Sequence, residues 1–408
     1  MKKPELLAPG GSLEKLKSAI EYGADAVYIG GEAYSLRVAA ENFTLDEMRE
    51  GIEFAHSRGK KVYLTANILP HNSDIADFED YVREIRPLGF DAVLAADLGI
   101  FDILRKTAPE LNIHISTQAN NVNYRSACVW HEMGAKRVVL AREMSLAEIE
   151  EIRAKTPPEL EIEAFVHGAM CISYSGRCLL SNYMTARDAN LGACAHPCRW
   201  NYALVEQTRP GEYMPVFENE RGSFIFNSKD LCMIEHIPEL VKSGISSFKI
   251  EGRVKTSYYL ATVVKAYREE IDRYFADPDG YVFDKSQLAE LCKVSHRPYT
   301  TGFYFGKPNG NEQVYTDSSY IREYDLIGIV TDYDADHKIA TISQRNRFFA
   351  GDEIEIMQPA RPFFTQKAEG MTDSDGSPIE VANHAAMTVK LAMKEPVAAG
   401  AMLRKKRE

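Results

Sequence analysis

Eight short apolar runs recur over roughly the first 275 residues of the chain, separated for the most part by stretches of helical periodicity. They are Glu5–Ala8, Ala26–Gly30, Lys61–Asn67, Ala92–Ala95, Ile113–Ser116, Arg137–Leu140, Glu161–Val166 and Ser247–Glu251. The helical stretches include one that Ser12 is placed to cap, one from about Leu45 to Ser57, one near Ile234 to Ser243 and one from Ser257 to about Phe275. Repeated alternation of this kind predicts a parallel sheet with helices outside it. Eight units match a (β/α)8 TIM-like barrel, usually about 250 residues long. A doubly wound open sheet is the alternative. It ranks lower because no G-x-G-x-x-G follows the first strand, where Pro9-Gly10-Gly11 reads as a tight turn.

Beyond the last of these helices the pattern changes. Asp277-Pro278-Asp279-Gly280 marks a boundary, a helical stretch surrounds Ser286 to Cys292, and an irregular polar-aromatic segment follows. From Leu326 onward, β-type runs at 327–330, 339–342, 353–356 and 387–391 are separated by turn signals such as Ala350-Gly351-Asp352. The predicted fold class is therefore α/β: a (β/α)8 barrel over 1–280, a linking segment over 281–323, and a small C-terminal antiparallel β-barrel over 324–408.

Composition narrows the function classes. Among 408 residues, 45% are hydrophobic and 26% charged, as in a soluble globular protein. The start has no apolar core like that of a signal peptide, and no apolar run approaches the roughly 20 residues that span a bilayer. A cytoplasmic protein without membrane association is expected. The net charge of −11 argues against a broad nucleic-acid surface, because phosphate binding rests on lysine and arginine. Local basic spots are Lys60-Lys61, the group Lys249, Arg253 and Lys255, and the tail Arg404–Arg407, which reads as a solvated charged face.

The chemistry concentrates after the seventh run. Four of the seven cysteines, Cys171, Cys178, Cys194 and Cys198, follow a C-x6-C-x15-C-x3-C spacing with glycines close by. Thiolates so grouped attract soft metals and iron–sulfur clusters. On spacing alone, structural zinc and redox or packing thiols stay open, although only Cys194 and Cys198 are as close as a zinc knuckle. In a barrel this insertion, about 171–226, leaves the C-terminal end of the seventh strand, over the face where such folds carry active sites. Polar groups at the strand ends become pocket candidates: Asn67, Asp97, Gln118, Arg142, Glu143, His167, Glu251 and Arg253. Cys232 lies shortly before the eighth strand and is read as a spare thiol, while Cys128 and Cys292 fall in helical patterns as packing residues.

Several motifs resemble those of peptidase family U32, the collagenase-like peptidases. They are Glu163-x-Phe165-x-x-Gly168-Ala169-Met170-Cys171, Ser175-Gly176-x-Cys178, Asn190-x-Gly192-x-Cys194-x-x-x-Cys198-Arg199-Trp200 and Phe248-Lys249-Ile250-Glu251-Gly252-Arg253. Tyr34-Ser35-Leu36-Arg37 and Tyr299-Thr300-x-Gly302-Phe303 match as well, so the resemblance covers nearly the whole length. The branch it most resembles hydroxylates tRNA at carbon 5 of the wobble uridine. That implies prephenate as co-substrate, a [4Fe–4S] cluster on Cys171, Cys178, Cys194 and Cys198 (zinc in the same cysteines being the alternative), and tRNA as partner, with room for a homodimer or a partner subunit. Carboxylates of a co-substrate would call on Arg253 and Arg142, then Lys249 and Arg37, and RNA phosphates would call on the same residues. Asn67 and Gln118 join them as substrate-binding candidates, with Glu251, Arg253 and His167 as catalytic ones. A splayed uridine would stack on Tyr174, Tyr183 or Trp200. Two further readings compete: a peptidase with a cysteine–histidine dyad, His167 near Cys171 or His196 near Cys198, and a non-catalytic iron–sulfur RNA-binding subunit.

Overall fold

The computed structural model describes residues 2–35, 42–170, 178–187, 189, 193–205, 213–215, 223–224, 229–306 and 320–407, with backbone alone at 199, 201–205, 213–215 and 223–224. Eight parallel strands close into a barrel: β1 (Glu5–Pro9), β2 (Ala26–Gly30), β3 (Lys61–Ala66), β4 (Ala92–Ala95), β5 (Asn112–Ile115), β6 (Arg137–Val139), β7 (Glu161–Ala169) and β12 (Ser247–Ile250). Closure is direct, since β12 pairs with β1 on one side and β7 on the other. Side-chain caps begin the helices between strands. Ser12 accepts from Lys15, and Thr44 and Ser145 each form a capping box with a glutamate three residues on.

Apolar residues of the strands face outward to the helices, where most of the large core lies. The barrel interior is different. Its apolar residues include the small group Leu7, Ala26, Tyr28, Tyr63, Ala92 and Leu94, with Phe165 nearer the mouth. The remainder is a charged network in which Arg137 binds Glu5 (2.6 Å), Glu161 (2.6 Å) and Glu163 (2.8 Å), and Lys249 binds the other oxygen of Glu163 at 2.7 Å. Tyr63 and Ser247 donate to Glu5.

Between β7 and β12, the strands β8 (Asn201–Val205), β9 (Tyr213–Pro215) and β10 (Ser223–Phe224) pair antiparallel. β11 (Asp230–Cys232) then runs antiparallel along the end of β7, and β13 (Tyr299–Thr300) adds to it. This ribbon prolongs the barrel wall past its rim, a feature the sequence pattern did not predict.

The C-terminal unit is an antiparallel sheet of β14 (Tyr324–Asp334), β15 (Ile339–Gln344), β17 (Glu353–Gln358), β18 (Arg361–Lys367), β20 (Thr388–Ala392) and β21 (Met402–Lys406), beside the pair β16 (Phe348–Phe349) and β19 (Val381–Ala382). The order 18-17-21-14-15-20 curls round a core of its own. Gln366 links the two edges, donating to the Ala392 carbonyl and accepting from the Lys394 amide. The expectation of a solvated basic tail holds for Lys406 and Arg407, which are exposed, and is corrected at Arg404. Arg404 on the central strand β21 is fully buried and held by Glu290 (2.6 Å) and Glu355 (2.7 Å), which anchors the sheet to helix Lys285–Cys292. Tyr22 adds a second anchor, donating to the carbonyls of Met357 and Gly400.

Candidate active site

At the C-terminal mouth of the barrel, a pocket of about 490 Å³, its open entrance included, is lined by residues from nearly every strand end. Six of the sequence-predicted residues meet there: Asn67, Gln118, Arg142, Lys249, Glu251 and Arg253. Tyr28, Thr65, Leu94, Ser116, Thr117 and Phe165 complete the wall. The apolar pattern of their strands hid most of these. Only the polar run Ser116-Thr117-Gln118 after the fifth strand carried a readable signal.

Lys249 forms the floor. Its ammonium sits on Glu163 and 4.5 Å from the centre of the Tyr28 ring, and burial pulls its pKa down against the pull of Glu163. Arg253, 4% exposed, is held by hydroxyl and amide oxygens: Ser35 at 2.6 Å, Thr65 at 3.3 Å and Asn42 at 3.2 Å. Gly30 makes room for it, since a Cβ there would lie 2.1 Å from the guanidinium. Arg142 lies over the Phe165 ring at 4.1 Å and donates to the Ala169 carbonyl. Among the described residues it has no carboxylate partner, and its Nε is buried without an acceptor.

Other predicted residues lie elsewhere. Asp97 caps helix Leu98–Thr107, accepting from the Gly99 and Ile100 amides, so it serves the helix and not the pocket. Glu143 is half-buried beside Arg142 without lining the pocket, and burial raises its pKa. Arg37, Cys171 and Tyr174 are outside the described residues. His167 is turned away from the pocket. A bulge in β7 pairs Phe165 with Lys249 but His167 with Ile250, so one extra residue flips His167 to the outer face. Gly168, at φ 115°, sustains the turn. The His167 ring is buried among Tyr259, Tyr267 and Tyr299 at 5.4–6.0 Å.

Two family models match the chain: Peptidase family U32 over residues 11–314 and Peptidase family U32 C-terminal domain over 322–404. The chain belongs to peptidase family U32. It is 45% identical over 404 residues to the tRNA hydroxylation protein P1 of Bacillus subtilis (strain 168), covering 99% of this chain and 95% of that protein. With the tRNA hydroxylation protein P of Escherichia coli (strain K12) it shares 40% over 403 residues, 88% of this chain and 87% of the relative. The 23S rRNA 5-hydroxycytidine C2501 synthase of Escherichia coli (strain K12) is 34% identical over 269 residues, 66% of this chain and 39% of that enzyme.

In this U32 chain Cys178, Cys194 and Cys198 are half-buried, and among the described residues none is joined in a disulfide. The Cys194 sulfur accepts the backbone N–H of His196 at 3.4 Å, and the Ala195 amide donates to Ser181 Oγ on helix Leu180–Thr185. Among the described residues no three His, Cys, Asp or Glu side chains gather closely enough to hold a metal. Thiols outside disulfides, with an N–H donor on sulfur as at Cys194, are nonetheless the donor chemistry that an iron–sulfur centre uses. Cys232 differs from them. It is buried on β11, its thiol pushed up to about 12 by burial, opposite His167 in register. A thiol raised beside an imidazole lowered to about 3 is the reverse of an activated cysteine–histidine pair. Cys128 donates to the Lys155 carbonyl, and Cys292 ends helix Lys285–Cys292.

Burial also sets how the fold responds to acid. It holds His167 near 3 and pulls His114, inside the barrel, well below its ordinary value of 6.5. Both are neutral when folded and gain a proton on unfolding, so below about pH 6.5 the unfolded chain binds more protons and stability falls with pH. For His167 the loss should be roughly 1.5 kcal/mol between about pH 6.5 and 5, and His114 acts in the same direction. Urea unfolding of wild type and His167→Gln at those two pH values checks this. Equal losses in the two proteins would show that His167 does not carry the effect.

Proposed function

We propose that this chain is a tRNA hydroxylase, and more finely that it forms 5-hydroxyuridine at the wobble position with prephenate as co-substrate and an iron–sulfur centre as cofactor. Its relatives of similar length support the RNA-hydroxylating activity by name. The observation that carries the finer reading is Arg142. A half-buried guanidinium at the mouth, without a carboxylate among the described residues, is a receptor kept for an anionic ligand. Arg253 and Lys249 extend the same cationic wall, and Glu251 faces the pocket with them. The wall suits a small molecule with two carboxylates better than it suits a long RNA backbone.

Cys178, Cys194 and Cys198, with Cys171, would hold the [4Fe–4S] centre, which when bound supplies one-electron chemistry. Tyr183 and Trp200, 85% and 40% exposed on the same insertion, offer faces for stacking RNA bases. Among the described residues no helix is long and apolar enough to cross a membrane. The reading assigns the enzyme to the cytoplasm, where thiolates stay reduced.

The test is mass spectrometry of tRNA nucleosides from cells lacking the gene and complemented with variants. Wild type should restore 5-hydroxyuridine only when the cell makes prephenate. Arg142→Ala should lower kcat/KM for the co-substrate about a hundredfold, as expected when a charged hydrogen bond is lost, and Arg142→Lys should recover part of it. Full hydroxylation by Arg142→Ala would remove Arg142 from the site.

A further inference from the structure

The mouth of the barrel has two unlike walls. One is cationic. The other, on the arc of β3 and β5 across from β12, is neutral and built of Asn67, Ser116, Thr117 and Gln118. Two of its hydrogen bonds converge on one hydroxyl, while Thr117 donates to the Leu140 carbonyl. Asn67 donates Nδ2 to Ser116 Oγ at 3.0 Å, and the Gln118 backbone N–H donates to the same oxygen at 3.3 Å. This leaves Asn67 Oδ1 and Gln118 Oε1 buried with no donor among the described residues, on a glutamine only 9% exposed. Carbonyl oxygens buried without donors are costly, and a ligand must bring N–H or O–H groups to them. Carboxylates cannot, because they only accept.

We infer that Asn67 and Gln118 are the base-reading edge of the pocket, accepting the ring N–H of a uracil turned out of its RNA strand and thereby selecting uracil over cytosine. The inference rests on the hydroxylase reading and deepens it. Uracil carries a hydrogen on N3, whereas cytosine presents a lone pair there, which Asn67 Oδ1 repels because its amide is held in that orientation by the bond to Ser116. A site built to accept a hydrogen rejects the analogue that lacks it far more strongly than an apolar pocket rejects a change of shape. Extrusion of the base from its strand brings its Watson–Crick edge within reach.

The test uses the full chain, purified and reconstituted anaerobically, on tRNA bearing uridine or cytidine at the target position. Gln118→Met and Asn67→Leu keep side-chain length and lose the acceptor, whereas Gln118→Glu and Asn67→Asp keep an acceptor oxygen. The first pair should raise KM for tRNA, lower kcat/KM on uridine by about tenfold or more and shrink the uridine-to-cytidine ratio similarly, with KM for the co-substrate unchanged. The second pair should retain the preference. Matching melting temperatures exclude misfolding as the cause. An unchanged ratio in Gln118→Met overturns the inference, and so does a rise confined to KM for the co-substrate, which would assign these oxygens to its hydroxyl. If wild type hydroxylates neither RNA, the hydroxylase reading itself fails. The base-reading edge is then judged by fluorescence anisotropy with uridine and cytidine oligonucleotides. A preference for uridine lost in Gln118→Met supports it, and equal binding overturns it.

Discussion

Glu163→Leu should destabilise the barrel by about 3–5 kcal/mol, the cost of leaving a buried charge without its partner. Glu163 is fully buried and accepts from Arg137 on one oxygen and Lys249 on the other. Arg137 keeps Glu5 and Glu161 in the variant, but Lys249 loses its only ion-pair partner among the described residues. The double variant Glu163→Leu with Lys249→Met should regain most of the loss, because an apolar pair of similar volume does not carry the desolvation cost of two charges. Urea unfolding of the three proteins measures both effects. A loss below about 1 kcal/mol in the single variant, the size of an exposed ion pair, would mean that water reaches Lys249 and that the network is not a dry one.

Cys194→Ala should strip the protein of iron and abolish tRNA hydroxylation while leaving the fold intact. The thiol is half-buried on an irregular segment between helix Leu180–Thr185 and the turn Pro197–Arg199, so its removal opens no core cavity. After anaerobic purification the wild type is expected to hold about four irons per chain with matching sulfide, as one four-iron cluster requires. Cys232→Ala provides the contrast. It should keep its iron and lose stability instead, since its side chain packs in the core. Iron retained by Cys194→Ala, or absent from reconstituted wild type, would return these thiols to zinc or to packing.

Much of this arrangement was legible because strand and helix periods differ. The eight apolar runs coincide with β1 to β7 and β12, and five of the predicted polar residues just beyond their C-terminal ends, Asn67, Gln118, Arg142, Glu251 and Arg253, line the pocket with Lys249 inside β12. What stayed hidden has specific causes. Alternation in Glu161-Ile162-Glu163-Ala164-Phe165 shows two faces but not that the charged one points inward, because in this barrel the apolar face packs on helices. The orientation of His167 depends on a one-residue bulge, which leaves no mark in composition. β11 is three residues long, too short to register as a period. Arg404 reads as surface charge in a basic tail, and only the meeting of β21 with Glu290 and Glu355 explains its burial. Ser35 and Asn42, which hold Arg253, come from a loop far away in sequence.

The barrel's seam also governs how the molecule is made. Ser247 on β12 reaches Glu5 on β1 across 242 positions of sequence. A ribosome adding about 5–20 residues per second needs roughly ten to fifty seconds to cover that interval. Throughout that time β1 has an exposed flank, and once Ala169 has been added so does β7, the strand from which the cysteine segment departs. Nascent chains must therefore be shielded along both flanks at once before the final strand slots in.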